Sequence, residues 1–143
     1  MDGSWQRSAR DKDGDPLLLV ADRNGPSLLV RAFRNKRKGH EAVLIASVTG
    51  ETATIRNIGG FGEDSIGYGV GTALLQFAEE VLAGQGVRAV SGWLAAGDVG
   101  HRDRQVRFYV KNGYQVRLTG PTGGVSKSLE GSPWVRNDGL GRR

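Results

Sequence analysis

The 143 residues suffice for one domain with a real core, and 38% hydrophobic and 24% charged residues are the mix of a soluble globular protein. The absence of cysteine excludes disulfides, thiolate metal sites and cysteine nucleophiles, and two distant histidines, His40 and His101, argue against a bound metal such as zinc. A net charge of +5 favours an anionic partner without saying which, and no apolar run reaches membrane-spanning length. With a polar start that is no signal peptide, a cytoplasmic location and no membrane partner are the expectations.

Residues 1–15 are polar and without periodicity, and they read as an N-terminal arm, frayed or loosely attached. An apolar run at 16–22 (PLLLVAD) suits a buried strand, Asn24-Gly25-Pro26 is a turn signal, and a second run follows at 27–34 (SLLVRAFR). Two strands joined so closely form an antiparallel hairpin, because a parallel crossover needs about a dozen residues or more. The basic tip at 35–40 (NKRKGH) is a solvated turn or, less expectedly, a polyanion contact together with Arg34. Strands are predicted again at 41–49 and 52–58. In the latter, Ala53 and Ile55 alternate onto one face, but Asn57 stands where an apolar residue is due and Ile58 takes its place. Such a slip marks a bulge, a splayed strand end or an ordinary strand terminus.

After an acidic loop at 59–65 (GGFGEDS) comes the most informative stretch, IGYGVGTALL at 66–75. Three alternate glycines, Gly67, Gly69 and Gly71, run straight into a helix whose apolar stripe is Val70, Ala73, Leu74, Phe77, Ala78, Val81 and Leu82. Gln76, Glu79 and Glu80 fall mostly outside that stripe, and Gly84 and Gly86 end the helix. A glycine-rich helix N-terminus gathers unpaired N–H groups and removes the Cβ atoms that would hold a ligand off, which suits an anion such as phosphate. The alternative is a tight turn before a core helix.

Residues 87–95 (VRAVSGWLA) read as a buried strand, which makes a right-handed parallel βαβ unit with the preceding strand and helix. A second helix is predicted from about Asp103, as N-cap, to Lys111, stopped by Asn112-Gly113. Strands at 114–119 and 125–129 complete one domain over 16–130, and 131–143 read as a tail.

At two separated motifs the chain resembles the GNAT acetyltransferase superfamily. Ile66-Gly67-Tyr68-Gly69-Val70-Gly71, continuing into Thr72-Ala73-Leu74-Leu75, is similar to the family's acyl-CoA motif, Gln/Arg-x-x-Gly-x-Gly/Ala. FYVKNGY, from Phe108 to Tyr114, is similar to its late helix signature, aromatic-Tyr-x-x-x-Gly-Phe/Tyr. The resemblance implies an α/β (α+β) fold with a mixed, mostly antiparallel sheet of about seven strands, a central βαβ unit and a late short helix. It also implies acetyl-CoA as co-substrate and acetyl transfer to a primary amine by direct attack in a ternary complex.

In that family the pantetheine arm lies where the two strands flanking the glycine loop splay apart. The resemblance thus assigns cofactor binding to Ile66, Gly67, Tyr68, Gly69, Val70, Gly71 and Thr72, and the freed backbone at the strand bulge to Asn57 and Ile58. Tyr109 aligns with the tyrosine that protonates the departing thiolate, the other reading being a packed side chain with a bonded hydroxyl. Glu63 is a candidate general base, with Glu51, Asp64, Asp98 and His101 as further choices, and Arg102 is a candidate phosphate contact or a surface residue.

Three departures qualify these expectations. Ile66 replaces the family's Gln or Arg, Arg102 replaces an asparagine at the start of the late helix, and the two helices usual between the first two strands are missing. The acceptor is then a large molecule on an open surface, or a homodimer partner supplies the missing wall. A non-catalytic acetyl-CoA or CoA-binding sensor or interaction module is the alternative function, and nucleic-acid binding through Arg34, Lys36, Arg37 and Lys38 ranks last.

Overall fold

The structure, a computed structural model, describes residues 2–11, 13–34, 42–60, 69–94, 99–119 and 122–130; the side chains of 60 and 99–102 are outside the description. Five strands come first: β1 (Gly3–Arg10), β2 (Pro16–Asn24), β3 (Ser27–Arg34), β4 (Ala42–Thr49) and β5 (Thr52–Gly60). Helix α1 (Val70–Gly84), strand β6 (Ala89–Leu94), helix α2 (Val99–Lys111) and strands β7 (Gln115–Thr119) and β8 (Thr122–Ser128) follow. The strands form one sheet in the order β1-β2-β3-β4-β5-β6-β8-β7, antiparallel except for the parallel pair β5/β6. The mixed, mostly antiparallel sheet with a central βαβ unit is present, with eight described strands in place of about seven.

The additional strand corrects the reading of residues 1–15 as frayed or loosely attached. β1 pairs with β2 along its whole length, from Gly3↔Arg23 to Arg10↔Pro16. Trp5 and Ala9 pack at the margin of the core, while Arg7 between them ion-pairs with Glu80 of α1 and lies 5.4 Å over the Phe77 ring. The inward stripe of β1 therefore has an arginine at its centre, which hides the alternation that marks a strand in sequence. Asp11 closes the following turn: its Oδ1 accepts the N–H groups of Asp13 and Asp15, both at 2.9 Å, and its Oδ2 lies 3.5 Å from Arg34.

Period-two alternation in β2 to β5 buries Leu17, Leu19, Leu28, Val30, Leu44, Ala46, Ala53 and Ile55 on one face. Against it α1 sets Val70, Leu74, Phe77, Ala78, Val81 and Leu82, also buried. Each fully buried Leu, Val or Phe is worth roughly 1.5–3 kcal/mol, so this helix-on-sheet contact is the main stabilising interface. α2 packs on β6 and β7 and meets α1 through Phe108 and Asn112, which places both helices on the same face. No described helix covers the opposite face, where Leu18 and Ile45 are each 38% exposed and Trp93 is 72% exposed.

Several boundaries differ from expectation: β5 runs on to Gly60, β6 is shorter at Ala89–Leu94, and β8 begins at Thr122 in place of 125. α2 begins at Val99, so Asp103 lies inside the helix and is not its N-cap, and Arg102 is likewise within it. In β5 the bulge falls one residue before the predicted slip: Ala46 pairs with Ile55 and Ile45 with Asn57, leaving Arg56 as the extra residue.

The tight β7/β8 hairpin rests on Gly123. A Cβ there would stand 2.6 Å from the Arg117 carbonyl oxygen and 3.2 Å from the Leu118 Cα, and neither backbone atom can turn aside. Gly123→Ala is expected to cost about 1–3 kcal/mol in chemical denaturation. Gly84→Ala, at a helical position with open space around it, is expected to stabilise by up to about 1 kcal/mol.

Candidate functional site

The site begins where the sheet stops being a sheet. β5 and β6 pair from Thr52↔Ala89 to Ile55↔Gly92 and no further, although β5 runs on to Gly60 and β6 to Leu94. Beyond Ile55, β5 still pairs with β4 up to Gly60↔Ala42, so only its edge toward β6 lacks a strand partner among the described residues. The bulge at Arg56 lies at the point of separation and turns the strand. After it, Asn57 is exposed on the open face opposite Ile45, and Ile58 is partly buried on the helix face beside Leu44. Backbone N–H and C=O groups along such an edge need partners, and an extended ligand supplies them as a strand would.

At the same end of the sheet α1 begins. Gly69 is its N-cap, in the left-handed conformation at φ 81° that favours glycine, and its carbonyl accepts the first helical bond from Ala73 N–H at 3.1 Å. Gly69 has no side chain with which to cap the helix, no described side chain does so in its place, and no acidic residue stands in the first turn. The first-turn N–H groups of Val70, Gly71 and Thr72 keep their donor capacity, and the helix dipole adds partial positive charge there. This combination suits a phosphate oxygen.

Gly71 has a second use. A Cβ at this position would come within 3.2 Å of Phe108, so its absence lets α2 lie against the first turn of α1. Asn112 reinforces the contact, with its Nδ2 donating to Thr72 Oγ1 at 3.3 Å and to the Phe108 carbonyl at 2.8 Å. Between these residues sits Tyr109, only 4% exposed, edge-on to Phe108 and Tyr114 with ring centroids 5.2 and 5.3 Å away. Burial pushes its phenol up to about 12, and among the described residues its hydroxyl has no hydrogen-bond partner. The ring is packed on both sides by aromatic neighbours, and a buried tyrosine of this kind presents an apolar body with one polar tip.

Beside Tyr109 lies a polar cluster that sequence reasoning missed. Glu79, expected outside the apolar stripe of its helix, is 1% exposed. It accepts hydrogen bonds from Tyr114 Oη and Lys127 Nζ, both at 2.8 Å, and Lys127 donates also to the Asn112 carbonyl at 2.9 Å. The cluster ties α1, the end of α2 and β8 together around one buried charge pair. Its signal was present in the spacing, since Glu79 stands four residues after Leu75 and three before Leu82, both buried.

Of the predicted site residues, the structure brings together Gly69, Val70, Gly71, Thr72 and Tyr109, and it puts Asn57 and Ile58 on the separated part of β5. Ile66, Gly67, Tyr68 and Glu63 lie outside the described residues, as do Asp64 and Asp98, and Arg102 is placed only by its backbone. Glu51, another base candidate, is exposed and ion-paired with Arg88 at 3.3 Å. Of the basic cluster, Arg34 is engaged by Asp11, and Lys36, Arg37 and Lys38 lie outside the described residues. No group of metal-ligating side chains occurs among the described residues.

No family model matches the sequence, and no curated relative is found by sequence. Solved structures do match in fold. The GNAT domain of PAT from S. lividans superposes with a TM-score of 0.70 at 12% identity, over 87% of this chain and 97% of that one. The PaiA N-acetyltransferase from Thermoplasma acidophilum, solved with coenzyme A, gives 0.61 at 17% identity over 72% of this chain, which spans 61% of that enzyme's length. The ribosomal-protein-S18-alanine N-acetyltransferase from Escherichia coli gives 0.60 at 19% identity, over 75% and 72% of the two chains. The chain has the GNAT acyl-CoA N-acyltransferase fold.

The cluster has two measurable consequences. Glu79→Ala strands the Lys127 ammonium and is expected to cost about 3 kcal/mol in denaturation, more than Glu79→Gln. Tyr109 is held up to about 12 by burial, and Tyr114 higher still by burial, the Glu79 charge and its hydrogen bond, whereas both ionise near 10 in an unfolded chain. The folded form then binds more protons above pH 10, so these phenols leave stability unchanged below about pH 10 and lower it as pH rises toward 12. Absorbance titration should show the two phenolates appearing together with unfolding.

Proposed function

We propose that this protein binds acetyl-CoA and transfers its acetyl group to a primary amine by direct attack in a ternary complex. The observation that carries this reading is the coincidence, at one end of the sheet, of the ladder break after Ile55, the Arg56 bulge and the uncapped N-terminus of α1. Acetyl-CoA supplies an acyl thioester on a long amide-bearing arm with a pyrophosphate behind it. In this reading the free edge of β5 from Arg56 onward, including Asn57 and Ile58, bonds the arm, and the N–H groups from Gly67 to Thr72 hold the pyrophosphate, with Ile66 and Tyr68 flanking it. Arg102 is assigned to the phosphates. Positioning of the two reactants is the main contribution to rate.

The step balances as a simple substitution. The amine lone pair forms the C–N bond to the acetyl carbon, the C–S bond breaks, the amine gives one proton to water or a carboxylate, and the thiolate takes one up. Glu63 is the proposed proton acceptor. Tyr109 keeps its proton at neutral pH, and its pKa of about 12 stands well above the thiol range near 8.5. Complete transfer from the phenol to the thiolate is therefore uphill, and Tyr109 acts first as a hydrogen-bond donor to the leaving sulfur.

A calorimetric titration is expected to show CoA and acetyl-CoA binding, and its absence would overturn the proposal. Tyr109→Phe is expected to lower kcat at least tenfold, measured by release of CoA thiol, with CoA affinity within twofold of wild type. A second reading, a CoA-binding module without turnover, is favoured by the open sheet face, since the resemblance places two acceptor-side helices between the first strands. It predicts CoA binding with no thiol release from any amine in a broad acceptor screen.

A further inference from the structure

The open face carries a feature that bears on the acceptor. From the ladder registers, Trp93 of β6, Gly124 of β8 and Arg117 of β7 stand in one row on this face, with Gly124 between the other two. Ser91, Ser126 and Gln115 form the next row. Together they line a shallow concavity of about 410 Å³. Two strand spacings separate Trp93 from Arg117, roughly 10 Å. Because residue 124 has no side chain, the floor is open backbone between an indole wall that is 72% exposed and a guanidinium. Trp93 is also the first residue of β6 beyond the last β5/β6 pair at Gly92, so the slot opens beside the ladder break.

Its charge is one-sided. Arg117 is exposed and has no ion pair or hydrogen bond among the described residues, and Arg56, across the break, spends only its Nε on Ser47 Oγ at 3.1 Å. No described residue lining the slot is acidic. A surface meant for a polycation would present carboxylates, and this one presents the Arg117 guanidinium across from an aromatic ring, with Arg56 farther off on the β4 side. A substrate must also bring an alkyl amine, which nucleic acid lacks, and two cations are few for a phosphate backbone.

We infer that this slot is an acceptor site for an acidic peptide: Arg117 pairs with a carboxylate of the peptide, Trp93 packs on its apolar or planar part, and its amine faces the ladder break. The inference rests on the acetyl-transfer reading for its chemistry, but the slot itself is testable without CoA. Arg117 lies on an edge strand and Trp93 is exposed, so both tolerate substitution.

The test is a tryptophan-fluorescence titration with three probes: a synthetic pentapeptide with a free N-terminus and two Asp or Glu residues, spermidine, and an oligothymidine. The peptide is expected to change the emission saturably, with apparent affinity at least tenfold above spermidine. Arg117→Glu should weaken it at least tenfold, and Trp93→Phe should abolish the signal. The same peptide should release CoA thiol with a KM raised tenfold or more in Arg117→Glu at similar kcat, while calorimetric CoA affinity stays unchanged. Preference for spermidine, binding only of the oligonucleotide, or an Arg117→Glu protein that binds peptide like wild type would each overturn the inference. Peptide binding at the slot without CoA binding would uphold the slot and overturn the acetyl-transfer reading.

Discussion

Everything at the candidate site depends on one interruption: the parallel ladder between β5 and β6 ends after four residue pairs. A strand cannot pair on both sides and also leave an edge free, and the bulge at Arg56 resolves the conflict by turning β5 while it stays bonded to β4. Most proteins hide such an edge. Here the sheet keeps it in the middle of the molecule, at the end from which α1 starts. The ladder break and the uncapped helix are thus two consequences of one βαβ unit, since the chain that leaves the free edge of β5 must re-enter as α1.

The second constraint is the closeness of the two helices. Gly71 admits Phe108, Asn112 bonds Thr72, and Glu79 gathers Tyr114 and Lys127, so the first turn of α1 and the end of α2 are held as one body. A charge as buried as Glu79 is retained only with good partners, and it has two. What this rigid corner holds in place is the Tyr109 ring, a phenol kept protonated by burial. The face away from the helices is the opposite case: open and partly apolar, with no acidic side chain among the described residues that line the slot beside the break.

Much of this was legible in the sequence. Period-two alternation in β2 to β5, the 3.6-residue stripe of α1 and the short link after Asn24 specify the hairpins, the helix face and the parallel crossover by simple geometry. The pattern slip near Asn57 located the bulge to within one residue. What escaped were positions where a charged residue occupies an inward site. Arg7 masked the stripe of β1, and Glu79 was assigned to the solvent face of α1, because residue type was weighed above spacing. The start of α2 was placed a turn late because Asp103 resembles a cap, and caps are a local signal that packing overrides. The Trp93 slot was invisible for another reason: it exists only through the registers of β6, β8 and β7, which no local pattern encodes.

The central claim is that acetyl-CoA lies in the β5/β6 break with its pyrophosphate at the start of α1. A titration of CoA into labelled protein, followed by amide chemical shifts, tests it most directly. The account predicts the largest shifts at Gly71 and Thr72 and along Arg56, Asn57 and Ile58, with β1 to β3 unmoved. Shifts confined to β1 to β3 or to the outer hairpin β7/β8, or none at saturating CoA, would contradict it.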